Sequence, residues 1–226
     1  MQTADTSRHK TVKTYELIVF DWDGTLMDSE TKIVRCFRAA SRDAGLPDPG
    51  AGAVRRIIGL GMQEAVAALF PDRPAAVRDR VIQHYREHFL HRDRTEMRFF
   101  PGVEQGLKAL REEGYLLAVA TSKARRGLDR LLQEWRMRDF FDTTRCADEA
   151  RSKPHPRMLE DIYAQTGVAP DRALVVGDTT YDMEMARNAG SDRLAVSYGV
   201  HGCRPLKPYG PVACLDSFTE VCGWLL

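Results

Sequence analysis

The sequence predicts a doubly wound, mostly parallel α/β sheet of Rossmann-like form, with a small all-helical unit inserted near its start. Three observations lead there. Four short apolar runs show no alternation of polar and apolar residues, as strands buried on both faces require. Amphipathic helical patterns separate the later runs. Residues 28–98, directly after the first run, carry helical periodicity and almost no strand signal.

Taken in order, residues 1–14 are polar, lack the apolar centre of a signal peptide and read as a loose tail. Leu17–Phe20 is the first strand. In "SETKIVRCFRAASRDAG", Ile33, Val34, Phe37 and Ala40 fall on one helical face, and Gly45 and Pro47 end the pattern. "GMQEAVAALF" and "PAAVRDRVIQHYREHFL" continue in helical period, and "FFPGV" at Phe99–Val103 returns the chain to the α/β pattern. The expected organisation is therefore a core from residues 15–27 and 99–226 and a helical unit from residues 28–98. Later strands are expected at Leu116–Ala120, Ala173–Val176 and Leu194–Tyr198, with weaker candidates in "FFDTTRCAD" and "VACLDS". Between them, Val103, Leu107 and Leu110 share a helix face that ends at Gly114, and Met158, Leu159, Ile162 and Tyr163 share one that ends at Gly167. "YDMEMARNAG" forms a third helix, closed by Gly190.

Composition narrows the function classes. A chain of 226 residues with 43% hydrophobic and 29% charged residues is ordinary for a globular protein. A net charge of +1 and the lack of a basic run argue against nucleic acid as a partner. No apolar run approaches the roughly 18 residues of a membrane span, so no membrane partner is expected. Cys36, Cys146, Cys203, Cys214 and Cys222 stand singly, without a CxxC, and are expected to be reduced thiols of a cytoplasmic protein.

The chemistry follows from what stands after each strand, because ligands of open α/β sheets bind at the strands' carboxyl ends. Asp21, Asp23 and Thr25 follow the first strand in "LIVFDWDGTLMDSE", Thr121, Ser122 and Lys123 the second, and Asp178, Thr179 and Asp182 the third. Lys153 lies in "RSKPHP", before the helix that leads to the third strand. Four carboxylates in one cleft raise each other's pKa unless cations sit among them. Lys153 is one such cation. A metal with oxygen ligands is the other, and Mg²⁺ suits carboxylates, waters and phosphate better than zinc does. A carboxylate beside a metal and a lysine can attack phosphorus and form an aspartyl-phosphate. A second carboxyl two residues on can protonate the leaving oxygen and then activate water. Hydroxyl and N–H groups after the second strand can hold phosphoryl oxygens.

"DWDGTLMDS", "ATSK", "SKPHP" and "GDTTYDMEMARNAG" resemble, in order and spacing, the four motifs of the haloacid-dehalogenase-like hydrolase superfamily. The resemblance runs from Tyr15 to the end of the chain. It is strongest to the phosphoglycolate-phosphatase-like subgroup with a helical cap. It implies Asp21 as nucleophile, Asp23 as general acid/base, and Lys153 as the cation that neutralises Asp21 and the phosphoryl group. It implies phosphate binding by Thr121, with Ser122 in the same loop. Mg²⁺ would be held by Asp21, the Asp23 carbonyl and Asp178, with Asp182 a further ligand or the partner that orients a metal-bound water. The turn Gly59, Leu60 and Gly61 in "IIGLGMQ" corresponds to a cap turn that faces the site in related proteins, although a plain helix-breaking turn reads equally well.

Several residues carry a plainer expectation. Asp28 or Ser29 caps the first helix of the insert. Trp22 packs. Lys123 lines the phosphate loop or starts a solvated helix. His84, His88 and His91 lie on a solvated helix face.

Asp23 separates the reactions, because dehalogenases and phosphonoacetaldehyde hydrolases of the superfamily lack an aspartate there. Enzymes similar to β-phosphoglucomutase carry a histidine twelve residues past the nucleophile, where this chain has Ile33. The expectation is an Mg²⁺-dependent phosphatase of a small phosphorylated metabolite, phosphoglycolate first. A phosphosugar mutase and a non-catalytic module binding a phosphorylated ligand are the alternatives. The sequence carries no signature of oligomeric state.

Overall fold

A computed structural model describes residues 15–226, and the expected loose tail at 1–14 lies outside the described residues. Strand β1 (Leu17–Phe20) is completely buried and pairs in parallel with β4 (Leu116–Thr121) on one side and β6 (Ala173–Gly177) on the other. Beyond β4 lies β5 (Thr143–Cys146), and beyond β6 lie β7 (Asp192–Val196) and β8 (Cys214–Leu215). The sheet order is β5-β4-β1-β6-β7-β8, with every pair parallel. Both weak strand candidates are therefore strands, at the two edges of the sheet.

Alternate residues of β1 face opposite layers, as strand geometry requires. Ile18 and Phe20 join the cluster built with helix α5 (Val103–Glu112), helix α6 (Arg125–Glu134) and helix α10 (Phe218–Leu225). Leu17 and Val19 join the cluster built with helix α7 (Arg157–Thr166) and helix α8 (Thr180–Asn188). The expected apolar faces of α5 and α7 are the buried ones, including Val103, Leu107 and Leu110 on the first and Met158, Leu159, Ile162 and Tyr163 on the second. β7 begins and ends two residues earlier than expected. Its hydrogen-bonding partners decide this: Asp192 aligns with Leu174 of β6 and Val196 with Leu215 of β8. Ser197 and Tyr198 thus leave the strand and start a loop that returns to the site.

The insert forms helices α1 (Glu30–Asp43), α2 (Ala51–Ile57), α3 (Met62–Leu69) and α4 (Ala75–Glu87), the last extended by a wide turn at His88–Arg92. They surround an apolar cluster of their own that includes Ile33, Val34, Phe37, Val54, Val66, Val81 and Tyr85. The His88 ring pairs with Asp43 at 2.8 Å.

The sequence pattern did not reveal a short antiparallel ribbon, β2 (Met27–Asp28) with β3 (Arg98–Phe99), in which Met27 faces Phe99 and Asp28 faces Arg98. Both covalent connections of the helical insert pass through it. Two-residue strands are too short to show periodicity. A second departure is a disulfide joining Cys203 of the short helix α9 (Cys203–Leu206) to Cys214 of β8. These thiols were expected to be reduced; their Cα atoms are 6.1 Å apart, within the range that a disulfide spans. Cys36, Cys146 and Cys222 are free and buried. Among the described residues no helix is long and apolar enough to cross a membrane.

Leu107 is fully buried between α5 and the sheet. Leu107→Ala is expected to lower stability by about 2–5 kcal/mol in urea unfolding. A loss under about 1 kcal/mol would mean that the core collapses around the cavity.

Candidate active site

The carboxyl end of β1 sends the chain into a tight turn. Asp21 N–H donates to the Val176 carbonyl, and the N–H groups of Leu26 and Met27 donate to the Trp22 carbonyl. Trp22 is fully buried against Phe99 and Phe141, so its ring belongs to the core as expected. Gly24 has φ +84°, and a Cβ there would overlap the Asp178 carboxylate. Two independent constraints thus exclude any side chain at position 24.

Lys153 is at the centre. Its side chain is fully buried, and its Nζ lies 2.8 Å from Asp21 Oδ1 and 2.6 Å from Asp182 Oδ1. The other oxygen of Asp182 accepts the Thr179 N–H at 3.0 Å and the Thr179 hydroxyl at 2.6 Å, in a reciprocal capping box that starts α8. Both Asp182 oxygens are therefore engaged. Asp178 accepts the Thr25 hydroxyl at 2.9 Å on Oδ1 and the Val200 N–H at 2.7 Å on Oδ2. Thr121, buried at the end of β4, accepts the Lys123 N–H at 3.2 Å.

Asp23 is held by one oxygen only. Its Oδ1 takes the Ser29 hydroxyl at 2.5 Å and the Lys123 ammonium at 2.9 Å, while Oδ2 has no partner among the described residues. Ser29 is the N-cap residue of α1, yet its hydroxyl serves Asp23 and makes no helix-capping bond. Lys123 is not a solvated helix start: it lies before α6, paired with Asp23 and 5.0 Å from the ring centre of Phe89.

The turn Gly59, Leu60 and Gly61 reaches the strand ends from the helical insert. Ser122 Oγ donates to the Gly59 carbonyl at 2.5 Å, and Gly61 N–H donates to Ser152 Oγ at 2.7 Å. Gly59 has φ +102°, and a Cβ on it would press on Thr179 and Tyr181. Tyr181 in turn donates its hydroxyl to the Arg56 carbonyl at 2.8 Å. The turn therefore contacts the loops that carry Thr121, Lys153 and Asp178 together.

Burial dominates the electrostatics. It pushes the Asp21 carboxyl up to about 7, with Lys153 pulling down and Asp182 pushing further up. Asp178 is raised well above the ordinary carboxylate range by burial, then by Asp182 and Asp21. Burial would discharge Lys153, but Asp182 and Asp21 outweigh it and hold the ammonium charged above its usual pKa. Once ionised, the three buried carboxylates against one buried ammonium leave two negative charges, the charge of one divalent cation. One oxygen each from Asp21, Asp178 and Asp182 lie within 4.8 Å of one another, an all-oxygen donor set suited to a hard cation such as Mg²⁺. The residues present fit such an ion.

All five residues read from the sequence as the heart of the site, Asp21, Asp23, Lys153, Asp178 and Asp182, come together. Ser29, Ser152 and Val200 were not anticipated. Ser152 neighbours Lys153 in sequence, but Val200 acts through its backbone and leaves no mark in side-chain chemistry.

The family model for haloacid dehalogenase-like hydrolases matches residues 18–196, and the chain belongs to this family. It is 37% identical to the "probable phosphatase IndB" of Dickeya dadantii, over 92% of each chain. It is 31% identical to phosphoglycolate phosphatase of Nitrosococcus oceani, over 93% of this chain and 96% of that one. A haloacid dehalogenase-like family protein of Streptococcus pneumoniae superposes with a TM-score of 0.81 at 25% identity, over 94% of this chain and 99% of the other.

A folded-state pKa raised from 3.8 to about 7 means that ionised Asp21 costs stability. That contribution is favourable below about pH 4 and is lost as pH rises through about 7. Asp21→Asn, which stays neutral, is expected to raise the Tm of the chelator-treated protein by several degrees at pH 8. The gain over wild type should shrink towards pH 5. A difference independent of pH in thermal melts would mean that the Asp21 charge carries no such cost.

Proposed function

We propose that this phosphatase hydrolyses a small phosphorylated metabolite, phosphoglycolate or a close analogue, through an aspartyl-phosphate on Asp21. The observation that carries the reading is the arrangement of Asp21 and Asp23. Asp21 is fixed through Oδ1 by buried Lys153, which leaves Oδ2 without a partner among the described residues, and Asp23 is fixed through Oδ1 with its own Oδ2 open. A nucleophile and an acid are thus each clamped at one oxygen and open at the other.

In the first step the open oxygen of Asp21 attacks phosphorus and the ester P–O bond breaks. Asp23 gives its proton to the leaving oxygen. In the second step Asp23 takes a proton from water, the water oxygen attacks phosphorus, and inorganic phosphate leaves with Asp21 regenerated. Lys153 stays between Asp21 and Asp182, offsetting charge on the phosphoryl group, and Asp182 keeps that ammonium in place. The Thr121 hydroxyl and the Ser122 N–H receive phosphoryl oxygens, the Ser122 hydroxyl being engaged by the Gly59 carbonyl. Asp21, Asp178 and the Asp23 carbonyl, with Asp182 alongside, would hold Mg²⁺, which would supply the remaining positive charge.

Residues 15–27 and 99–226 act as the catalytic core and 28–98 as its cap, with the turn Gly59, Leu60 and Gly61 touching substrate from above. The phosphoglycolate assignment draws on the 31% identical relative of that name. Ile33 argues against a mutase, since it is buried in the insert's apolar cluster and offers no proton-transfer group. Cytoplasmic residence and action on a free metabolite complete the reading.

A phosphomonoester panel with and without Mg²⁺ tests it. Phosphate release is expected to require Mg²⁺, and Asp21→Asn is expected to lower it by at least about 10³-fold. Asp23→Asn should reduce turnover of alkyl esters by about 10²–10⁴-fold, the usual contribution of a general acid. Release that survives both chelation and Asp21→Asn would overturn the mechanism.

A further inference from the structure

Lys123 belongs to no part of the mechanism above, yet among the described residues it is one of two cations in the site, with Lys153. The two are placed differently. Lys153 and the carboxylates of Asp21 and Asp182 are 0–4% exposed, at the floor of the site. The side chains of Asp23 and Lys123 keep 15% and 10% exposure, so these two groups face the way in. A phosphoryl group seated against Asp21 and Lys153 leaves its alcohol portion on the side of Asp23 and Lys123.

The surroundings of the Lys123 ammonium are unusual for a lysine that serves only as an ion-pair partner. It lies 5.0 Å from the ring centre of Phe89, and Lys32 of α1 lies 5.2 Å from the same centre. Lys32 is committed elsewhere, donating to the Asp93 carbonyl at 3.2 Å. One aromatic ring thus lies near two ammonium groups, and a single carboxylate, Asp23, answers Lys123. An ammonium has three donors, and one of those on Lys123 goes to Asp23.

From this we infer that Lys123 is a specificity residue that binds an acidic group on the leaving alcohol. The inference rests on the phosphatase reading above and deepens it. Asp23 Oδ2 must meet the leaving oxygen, and Lys123 Nζ sits 2.9 Å from the other oxygen of the same carboxylate. A carboxylate one carbon from the leaving oxygen therefore reaches the ammonium, whereas the hydroxyl of a neutral analogue forms only an uncharged contact. Charge-assisted hydrogen bonds are about twice as strong as neutral ones, and Lys123 is partly screened from water by Phe89.

The test compares 2-phosphoglycolate with 2-hydroxyethyl phosphate, which differs by replacing the carboxylate with a neutral carbinol. Wild-type enzyme with Mg²⁺ is expected to prefer the acid by about tenfold or more in kcat/KM. Lys123→Met and Lys123→Gln, the second retaining a donor for Asp23, are expected to cut that preference at least fivefold, chiefly through KM for the acid. Lys123→Arg should restore most of it. Any loss common to both substrates reports on Asp23 and cancels in the ratio. A wild-type enzyme without preference for the acid, or a preference unchanged within twofold in both neutral variants, would overturn the assignment. Turnover of neither ester nor of any other phosphomonoester would instead sink the phosphatase reading itself. Should Lys123→Met not fold, the ratio in Lys123→Gln decides.

Discussion

The rest of the site depends on one buried ammonium shared by two carboxylates. Lys153 is fully buried and touches both Asp21, directly after β1, and Asp182, in the first turn of α8. An uncompensated ammonium or carboxylate at that depth would cost several kcal/mol, so the loops after β1 and β6 and the segment that brings Lys153 must dock together or not at all. Each partner is secured again behind. Asp182 closes the capping box with Thr179, and Asp21 continues a strand whose backbone bonds run to β6. Precision in the site thus follows from the cost of burying charge.

The compensation is incomplete by two charges, and that shortfall has a use. The carboxyls of Asp21 and Asp178 stand above their ordinary pKa because burial and mutual repulsion exceed what Lys153 offsets. A protein selected for stability alone would replace one of them by a neutral residue. Retaining all three keeps a standing affinity for positive charge at the carboxyl ends of β1 and β6. Gly24 and the Val200 N–H serve the same end, since close backbone approach on one side and a donor on the other fix Asp178 without adding another cation.

Much of this was legible in the sequence, for stated reasons. Strands buried on both faces write themselves as apolar runs, and ligand groups of an open parallel sheet follow those runs directly, so Asp21, Asp23, Thr121 and Asp178 could be placed by counting. Lys153 could be recognised because carboxylates without a cation are untenable. Three kinds of feature left no trace. Two-residue strands such as β2 and β3 have no period. Backbone donors such as Val200 have no side-chain signature. Pairings set by tertiary approach, Ser29 and Lys123 on Asp23 or Cys203 with Cys214, join residues whose spacing carries no rule. Lys123 shows the limit well: its neighbour Thr121 was placed by strand position, while its own direction depended on Phe89, which arrives from the helical insert.

The ribbon of β2 and β3 has a mechanical consequence. Because the chain enters and leaves the helical insert side by side, paired at Met27 with Phe99 and Asp28 with Arg98, the insert is attached along a single line. Two hydrogen-bonded strands resist sliding past one another far better than bending together, so any displacement of the insert would be a swing about that line. Distance from the axis then ranks the contacts. Ser29 lies one residue past the ribbon, while the bonds from Ser122 to Gly59 and from Gly61 to Ser152 join the core to a turn about thirty residues further along the insert. A swing of that kind would break the two serine contacts before it disturbed the bond of Ser29 to Asp23.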